Sequence, residues 1–211
     1  MHRLARSAAA VITVTAAAGV VLLYGDFVAG RSGAALLWRS IDFFSFFTVE
    51  SNLLVAGLTG AFALASGARG ATLIKRPAVA GAASLYIAVT GVTYYVLLSA
   101  IYHPVGLGLL ATNLLHYVVP PAYVAFWLVF VPKGALGLRA AAAWLAFPIA
   151  YAAYTLIRGP FAGLYPYPFI DAAALGYAGV LRSVAGLIVG FALAAILIVA
   201  LDRLMGRLRR T

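Results

Sequence analysis

The sequence predicts an all-α membrane protein in which six membrane-spanning helices pack into one bundle. Of its 211 residues, 65% are hydrophobic and 9% are charged, whereas a soluble domain carries about 25% charged residues. The mean hydropathy is +1.04. Hydrophobic runs occupy most of the chain and leave no room for a soluble domain, so we expect one transmembrane domain over residues 1–211.

A helix needs about 20 largely apolar residues to cross the hydrocarbon core of a bilayer. Six stretches satisfy this requirement, and they lie near residues 7–24, 42–65, 78–101, 109–131, 139–157 and 173–201. The basic start before the first stretch is also typical of signal peptides. However, the hydrophobic run is long for that role and no clear small-x-small cleavage pattern closes it. We therefore expect the first stretch to be a retained span.

The positions of the basic residues predict the orientation of the bundle. If the N-terminus is cytoplasmic, eleven of the 15 Lys and Arg residues lie on the cytoplasmic side, namely Arg3, Arg6, Arg69, Lys75, Arg76, Lys133, Arg139, Arg203, Arg207, Arg209 and Arg210. Because cytoplasmic loops carry an excess of Lys and Arg, we expect both termini inside, in the cytoplasmic (inner) membrane. The basic tail 202–210 and the loop 67–77 then act as solvated anchors on anionic lipid headgroups.

Composition also excludes several classes of function. The net charge of +10 does not indicate a nucleic-acid partner, because the charges lie in short loops and at the termini. The absence of cysteine excludes disulfides and thiolate chemistry. The three histidines, His2, His103 and His116, are scattered between a terminus, a loop and a helix. We therefore expect no metal site and no cofactor.

Two hydrophobic stretches carry polar side chains that are costly to place in lipid. Residues 43–54 form an aromatic and aliphatic run that contains Glu50, and residues 112–117 contain His116. An ionisable group in hydrocarbon costs on the order of a few kcal/mol, so such residues usually face a protein interior or a cavity and mark function. We expect the two runs to meet in one membrane-embedded site.

Helix geometry predicts that the polar residues form a layer in the outer third of the bundle. With a rise of 1.5 Å per residue, Thr48 and His116 lie about 9 and 10 Å below the outer ends of their segments, and Arg182 about 13 Å below that of the sixth. Tyr94 and Tyr95 fall at the same level when residues are counted back from the outer end of the third segment. Depth therefore brings these side chains to one level.

Glu50 is expected to pair with Arg182. It lies about 200° around the helix from Thr48, so it faces a different neighbour. A buried carboxylate and a guanidinium are tolerable in lipid when they pair. We expect a structural ion pair in preference to a proton relay.

Thr48 and His116 are the candidate catalytic pair. A threonine hydroxyl becomes a useful nucleophile when a base takes its proton, and histidine suits that role near neutral pH. An amide such as that of Asn52 or Asn113 can donate a hydrogen bond to an oxyanion. The candidates for orienting the imidazole are Tyr94, Tyr95, Asn113 and Glu50.

The loop predicted over residues 158–171 carries Arg158, Tyr165 and Tyr167 among several prolines. Tyrosine suits a membrane interface because its ring is apolar and its hydroxyl is polar. Proline does not support a regular helix. We expect either a stiff cap over the outer mouth of the bundle or an interfacial belt without a role in the site.

Three motifs resemble the androgen-induced/androgen-dependent family of multi-spanning membrane hydrolases, and more closely its bacterial branch. They are the aromatic-Thr-x-x-Ser-Asn run at 46–54, the His-Tyr-x-x-Pro run that begins at 113–117 and reaches Pro120, and the Tyr-Pro-Tyr-Pro-Phe loop at 165–169. Animal members of the family hydrolyse fatty acid esters of hydroxy fatty acids with an intramembrane threonine and histidine. The resemblance implies Thr48 and His116 for these roles and a lipid or fatty-acyl ester as substrate.

Two other functions fit the same residues. A small transporter or lipid-binding protein would use Glu50, His116 and Arg182 as a polar relay. A continuous polar path toward the inner face would favour it, but the inner halves of the second and fourth segments carry few polar groups. A structural subunit would instead dock through the glycine-rich face of the sixth segment.

Overall fold

The computed structural model describes residues 2–64 and 73–208, and within these ranges the chain is helical without strands. Six of its helical units are long and apolar enough to cross a membrane: His2–Phe27, Phe47–Leu64, Pro77–Leu98, Gly106–Phe130, Leu138–Ala162 and Ala172–Leu208. The predicted fold class, a polytopic all-α bundle, is thereby confirmed, and the chain is a multi-pass membrane protein. Six crossings would bring His2 and Leu208 to the same side of the membrane; the cytoplasmic orientation stays a prediction.

We number the α-helices in chain order as α1 (His2–Phe27), α2 (Gly33–Phe44), α3 (Phe47–Leu64), α4 (Pro77–Thr93), α5 (Gly106–Asn113), α6 (Val119–Phe130), α7 (Leu138–Trp144), α8 (Ala146–Ala162) and α9 (Ala172–Leu208). Two π-helical turns, Tyr94–Leu98 and Leu114–Val118, follow α4 and α5, and a short 3₁₀ turn covers Pro168–Ile170. The sequence-based assignments for residue 65, Arg69, Arg209, Arg210 and most of the loop 67–77 lie outside the described residues.

The second span does not run unbroken over 42–65, as the sequence predicts. α2 ends at Phe44, the chain turns at Ser45 and Phe46, and α3 begins at Phe47. The Ser45 hydroxyl bonds to the carbonyl of Ile41 at 2.7 Å, and such back-bonding by serine bends helices and helps to end them. The break places Thr48 in the first turn of a new helix.

The third and fourth spans both contain a π-helical turn in place of a regular α-helix. The turn Tyr94–Leu98 carries the buried Tyr94, and the turn Leu114–Val118 carries the buried His116. A π turn uses i→i+5 hydrogen bonds and inserts an extra residue, which rotates the following side chains. Such turns occur frequently at functional sites, and the two here lie in neighbouring spans.

The predicted 158–171 loop is shorter than expected, because α8 continues to Ala162 with Pro160 inside it. Arg158 is therefore a helical residue and not part of the loop. Gly163 caps the C-terminal end of α8, and its φ of +64° is left-handed and favours glycine. The connecting segment 163–171 then leads into α9, which bends at Gly176 (φ 67°, ψ 160°).

α1 packs mainly against α3 and the α5–α6 span, while α3 and α6 also contact α4. The short helix α7 and the 3₁₀ turn pack on α9, and α9 contacts α4. The largest fully buried side chains include Trp127, Tyr123 and Leu85. Aliphatic side chains such as Val14 (68% exposed) and Leu193 (64%) cover the outside, which suits a surface in contact with acyl chains.

Candidate functional site

The break between α2 and α3 is stabilised by tyrosine hydroxyls from α8. The Tyr151 hydroxyl donates to the Ser45 carbonyl at 3.0 Å and accepts the Phe47 N–H at 3.3 Å. The Tyr154 hydroxyl lies 2.8 Å from the Ser45 hydroxyl. In a membrane, broken backbone needs such partners because lipid offers none. The first turn of α3 is therefore held at a fixed place against α8.

Thr48 and His116 lie side by side in the interior of the bundle. The Thr48 Oγ1 is 3.2 Å from the His116 Nε2. Both residues are buried, with exposures of 7% and 8%. This is the proximity that their shared depth predicts, and it lies at the upper limit of the distances at which a nucleophile and its base normally hydrogen-bond.

The tautomer of His116 follows from its second hydrogen bond. The His116 Nδ1 lies 3.0 Å from the carbonyl oxygen of Thr112. A carbonyl only accepts, so Nδ1 carries the proton, and the neutral ring has its lone pair on Nε2. That lone pair faces the Thr48 hydroxyl, which therefore donates to it. The Thr112 backbone carbonyl, which the sequence-based candidates do not include, is the group that orients the imidazole.

The imidazole is also held by an aromatic ring from the neighbouring π turn. Tyr94 stacks on His116 with ring centroids 4.0 Å apart and an interplanar angle of 24°. Tyr94 is 6% exposed. Of the four predicted orienting candidates, Tyr94 contacts the ring. An aromatic face beside the imidazole also stabilises the charged form electrostatically.

Asn52 connects the two backbones that carry the pair. Its side-chain Nδ2 donates to the carbonyl of Thr48 at 2.9 Å and to that of Leu115 at 3.3 Å. Asn52 is fully buried. Because both amide hydrogens have backbone acceptors, this side chain fixes α3 against the π turn and does not donate into the pocket. The predicted role of Asn52 as an oxyanion donor does not fit this arrangement.

Tyr167 reaches into the site from the segment 163–171. Its hydroxyl accepts the backbone N–H of Thr48 at 3.0 Å and lies 3.2 Å from Thr48 Oγ1. The ring keeps some surface exposure while the hydroxyl is enclosed. Burial raises the pKa of the Tyr167 hydroxyl to about 12, against the opposing effect of the hydrogen bonds with Thr48. The phenol is therefore neutral and protonated at physiological pH.

Two apolar cavities meet at this group. A cavity of about 400 Å³ lies on the side of α1 and α2 and is lined by residues such as Leu23, Phe43 and Ile101. A smaller one of about 70 Å³ lies on the side of α4, α8 and α9. Their common wall consists of Thr48, Tyr94, Leu98, His116 and Tyr167. These five residues thus separate two largely hydrocarbon-lined spaces.

The predicted ion pair between Glu50 and Arg182 is wrong. Among the described residues, the salt bridge is between Arg158 and Asp42, at 2.5 Å. Glu50 is half-buried, its Oε2 has no hydrogen-bond partner, and it lines neither cavity. Arg182 is exposed on α9. The physical reason is that depth fixes the level of a residue but not its direction.

On α9, Arg182 lies 200° around the helix from Val184, which lines the smaller cavity. It therefore faces away from the site. The relay of Glu50, His116 and Arg182 that a transporter would use is consequently not assembled in the structure.

Two further polar candidates lie outside the pocket. Asn113 is exposed, whereas its neighbour Thr112 is 1% exposed. The wider π turn brings positions four apart, Thr112 and His116, onto one face and moves Asn113 off it. Tyr95 is 68% exposed, because the residue next to the inward-facing Tyr94 points outward. Neither Asn113 nor Tyr95 contacts the imidazole.

The three residues predicted for the outer cap separate into different roles. Arg158 binds Asp42 and so joins α8 to α2. The ring of Tyr165 packs on Gly159, where an added Cβ would lie 2.1 Å from it. Tyr167 alone reaches Thr48, a contact that the predicted cap role did not include. Its position between Pro166 and Pro168 is the sequence signal for a rigidly presented side chain.

Within residues 2–64 and 73–208, no group of three or more His, Asp or Glu side chains is placed to hold a metal ion. Comparison with known proteins gives no match: no protein-family model, curated protein or solved structure matches the chain. The family resemblance of the motifs therefore stays a prediction. The geometry defines the class as a multi-pass membrane protein with a buried Thr–His–Tyr cluster between two apolar cavities.

Proposed function

We propose that this protein is an intramembrane hydrolase that cleaves a lipid-like ester, with Thr48 as nucleophile and His116 as general base. The observation that carries the proposal is the 3.2 Å contact between Thr48 Oγ1 and the unprotonated Nε2 of His116. The Thr112 carbonyl fixes this tautomer. A nucleophile, a base and a group that orients the base are the arrangement that nucleophilic catalysis requires.

The reaction follows from these contacts. The Thr48 oxygen attacks the ester carbonyl carbon while its proton passes to His116 Nε2. The tetrahedral intermediate collapses, the alcohol leaves with the proton from Nε2, and an acyl-threonine remains. Water, deprotonated by His116, then attacks the acyl group, and the carboxylic acid and free Thr48 are released. The Tyr94 ring and the Thr112 carbonyl stabilise the transient imidazolium.

The surroundings support an apolar ester as substrate. Thr48 lies within the membrane-spanning part of the chain, between two cavities lined mostly by aliphatic and aromatic side chains. An ester whose carbonyl lies at Thr48 would place one apolar group in each cavity. The resemblance of the sequence motifs to hydrolases of fatty acid esters of hydroxy fatty acids points to the same substrate class. Location in the cytoplasmic membrane belongs to this proposal.

The test is ester hydrolysis by the purified protein in detergent, with long-chain acyl esters and a fatty acid ester of a hydroxy fatty acid as substrates. We expect Thr48→Ala and His116→Ala each to lower kcat by on the order of 10⁴-fold. Acyl-threonine at position 48 should be detectable by mass spectrometry.

The matched control is Thr59→Ala, because Thr59 is a buried threonine on the same helix that bonds to Thr13 at 2.8 Å. We expect it to keep turnover per folded molecule. Full turnover in both site variants, or no hydrolysis by the folded wild-type protein of any ester offered, would reject the proposed function.

A further inference from the structure

A threonine that attacks a carbonyl needs donors for the negative charge that develops on the carbonyl oxygen. Removing one such donor typically costs 10²–10³-fold in kcat. The two amides that the sequence offers do not serve: the Asn52 Nδ2 donates to two backbone carbonyls, and Asn113 is exposed. The donors must come from other groups beside Thr48.

One donor is the backbone N–H of Thr48. Thr48 is the second residue of α3, so no earlier turn of that helix accepts its N–H. The N-terminal end of a helix also carries partial positive charge that stabilises an anion. In the structure this N–H donates to the Tyr167 hydroxyl at 3.0 Å. The Tyr167 oxygen thus occupies the place where an anionic oxygen would be bound.

The second donor follows from counting the protons. The Thr48 hydroxyl donates its only proton to His116 Nε2, and the Tyr167 oxygen accepts from the Thr48 N–H. The remaining contact, 3.2 Å between Tyr167 O and Thr48 Oγ1, must therefore use the phenol proton. Tyr167 O–H points at the attacking oxygen, beside which the carbonyl oxygen arrives.

The Tyr167 ring is held in place before any substrate binds. It stacks on Phe169 with centroids 5.2 Å apart and an angle of 5°, and meets Phe46 edge-on at 5.7 Å. Pro166 and Pro168 flank it and restrict the backbone. A ring held in this way limits the reorganisation of the donor during the reaction to a small shift of the hydroxyl.

From these contacts we infer that the Tyr167 hydroxyl and the Thr48 backbone N–H together bind the oxyanion of the tetrahedral intermediate, which makes Tyr167 a third catalytic residue. The inference rests on the proposed hydrolase function. When the carbonyl carbon bonds to Thr48 Oγ1, the phenol moves aside slightly and its proton turns from that oxygen to the oxyanion. No covalent bond to Tyr167 forms.

The experiment compares Tyr167→Phe with Tyr165→Phe in the full chain, reconstituted in lipid nanodiscs. Tyr165 lies in the same segment but packs on Gly159, so it is the matched control. We expect Tyr167→Phe to lower kcat 10²–10³-fold with KM changed less than about threefold, because the lost bond forms fully only in the transition state. Tyr165→Phe should keep kcat.

Two inhibitors separate catalysis from loop positioning. The carbonyl carbon of a long-chain trifluoromethyl ketone bonds to Thr48 Oγ1, and the ketone oxygen then becomes an oxyanion. The corresponding ether has no carbonyl and forms no oxyanion. We expect Tyr167→Phe to lower the affinity for the ketone by the same factor as it lowers kcat, and to leave the affinity for the ether unchanged. Equal weakening of both would show that Tyr167 only holds the pocket, and would overturn the inference.

The remaining outcomes are also decisive. An unchanged or higher kcat in Tyr167→Phe would show that the tyrosine only fills the site and would overturn the inference. The proposed function would stand as long as Thr48→Ala is inactive. If Thr48→Ala and His116→Ala also keep turnover, the proposed function fails together with the inference. The two failures are therefore distinguishable.

Discussion

The two ends of the bundle use polar residues in different ways. We call the region around the Thr48–His116 contact the Thr48 end. The Asp202 end is the loop 131–137 together with Asp202, Arg203 and Gly206 of α9. The smaller cavity at the Thr48 end is lined by α9 residues from Val184 to Phe191, so about 11–18 residues of α9, or roughly 17–27 Å along the helix, separate the two ends.

At the Asp202 end, polar side chains bond to backbone. One oxygen of Asp202, Oδ2, accepts the N–H groups of Gly134 and Leu136 at 2.9 and 2.8 Å. Arg203 Nε donates to the Leu136 carbonyl at 3.0 Å. Lys133 donates to the carbonyls of Trp127 and Val131 and lies over the Trp127 ring. These bonds attach a loop to a regular helix.

At the Thr48 end, the helices themselves are irregular. A break after Phe44 and two π-helical turns occur there, and the side chains Thr48, His116 and Tyr167 bond to one another beside two cavities. At the Asp202 end the polar side chains satisfy backbone groups, whereas at the Thr48 end Thr48, His116 and Tyr167 also bond to one another beside empty space. The first arrangement indicates stability and the second indicates function.

Changing Asp202 should give the largest loss of stability. In Asp202→Ala, the buried N–H of Leu136 and the partly buried N–H of Gly134 lose their acceptor, and a buried donor left without a partner costs about 1–3 kcal/mol. We expect the free energy of unfolding to fall by about 3 kcal/mol, while kcat per folded molecule stays unchanged. Thermal unfolding in detergent and ester hydrolysis measure the two quantities.

Asp202→Asn is the control for that change, because an amide oxygen can still accept. It should lose less than half as much stability as Asp202→Ala. Equal losses of stability in the two variants would contradict the role of Asp202 as a hydrogen-bond acceptor. A loss of kcat in either variant would contradict a purely stabilising role for the Asp202 end.

Three glycine substitutions, two of them at opposite ends, should have effects of intermediate size on stability or kcat. An added Cβ at Gly206 would lie 2.4 Å from the Gly134 Cα, so Gly206→Ala should cost about 2 kcal/mol by forcing the loop away. At Gly91 it would lie 3.0 Å from the His116 carbonyl oxygen, so Gly91→Ala should shift the π turn and lower kcat roughly 10-fold.

The control is Gly186→Ala, because an added Cβ there meets nothing within 4 Å. We expect it to change stability by less than about 1 kcal/mol and to leave kcat unaffected. The comparison fails if Gly206→Ala impairs kcat more than Gly91→Ala does. Circular dichroism melts and initial rates in the same detergent supply both values.

The smallest effect is expected for the Asp42–Arg158 ion pair, which joins α2 to α8 near the Thr48 end. The two side chains are 13% and 16% exposed and 2.5 Å apart. A double-mutant cycle with Asp42→Asn and Arg158→Gln should give a coupling energy of about 1 kcal/mol. Because the two side chains are mostly shielded from water, the coupling should weaken only slightly at high salt. A coupling of zero at low salt would contradict the contact.

Part of the site was predictable from the sequence because depth in a membrane follows from counting residues. The rise per residue placed Thr48 and His116 at one level, and the cost of polar groups in lipid directed them inward. Arg182 and Asn113 lie at the same level but face outward, so counting residues did not predict their direction. Their direction depends on the kink at Gly176 and on the π turn.

Asp202 is a second residue whose contacts the sequence pattern did not predict. In the sequence it begins a basic tail expected to be solvated, yet it is fully buried in the structure. Its partners are backbone N–H groups of a loop more than 60 residues earlier. No periodicity within the tail carries information about that loop.

The residues alone suffice to predict six membrane-crossing helices and to show that the costly polar side chains lie in a few of them. Hydropathy and helix length are local properties, so the residues alone contain them. Which polar groups meet could be read only from the folded chain: the Thr112 carbonyl bonds to the imidazole, Tyr94 stacks beside it, and Tyr167 contacts Thr48. These contacts depend on helix rotation, on one break and on two π turns, which arise from packing between spans.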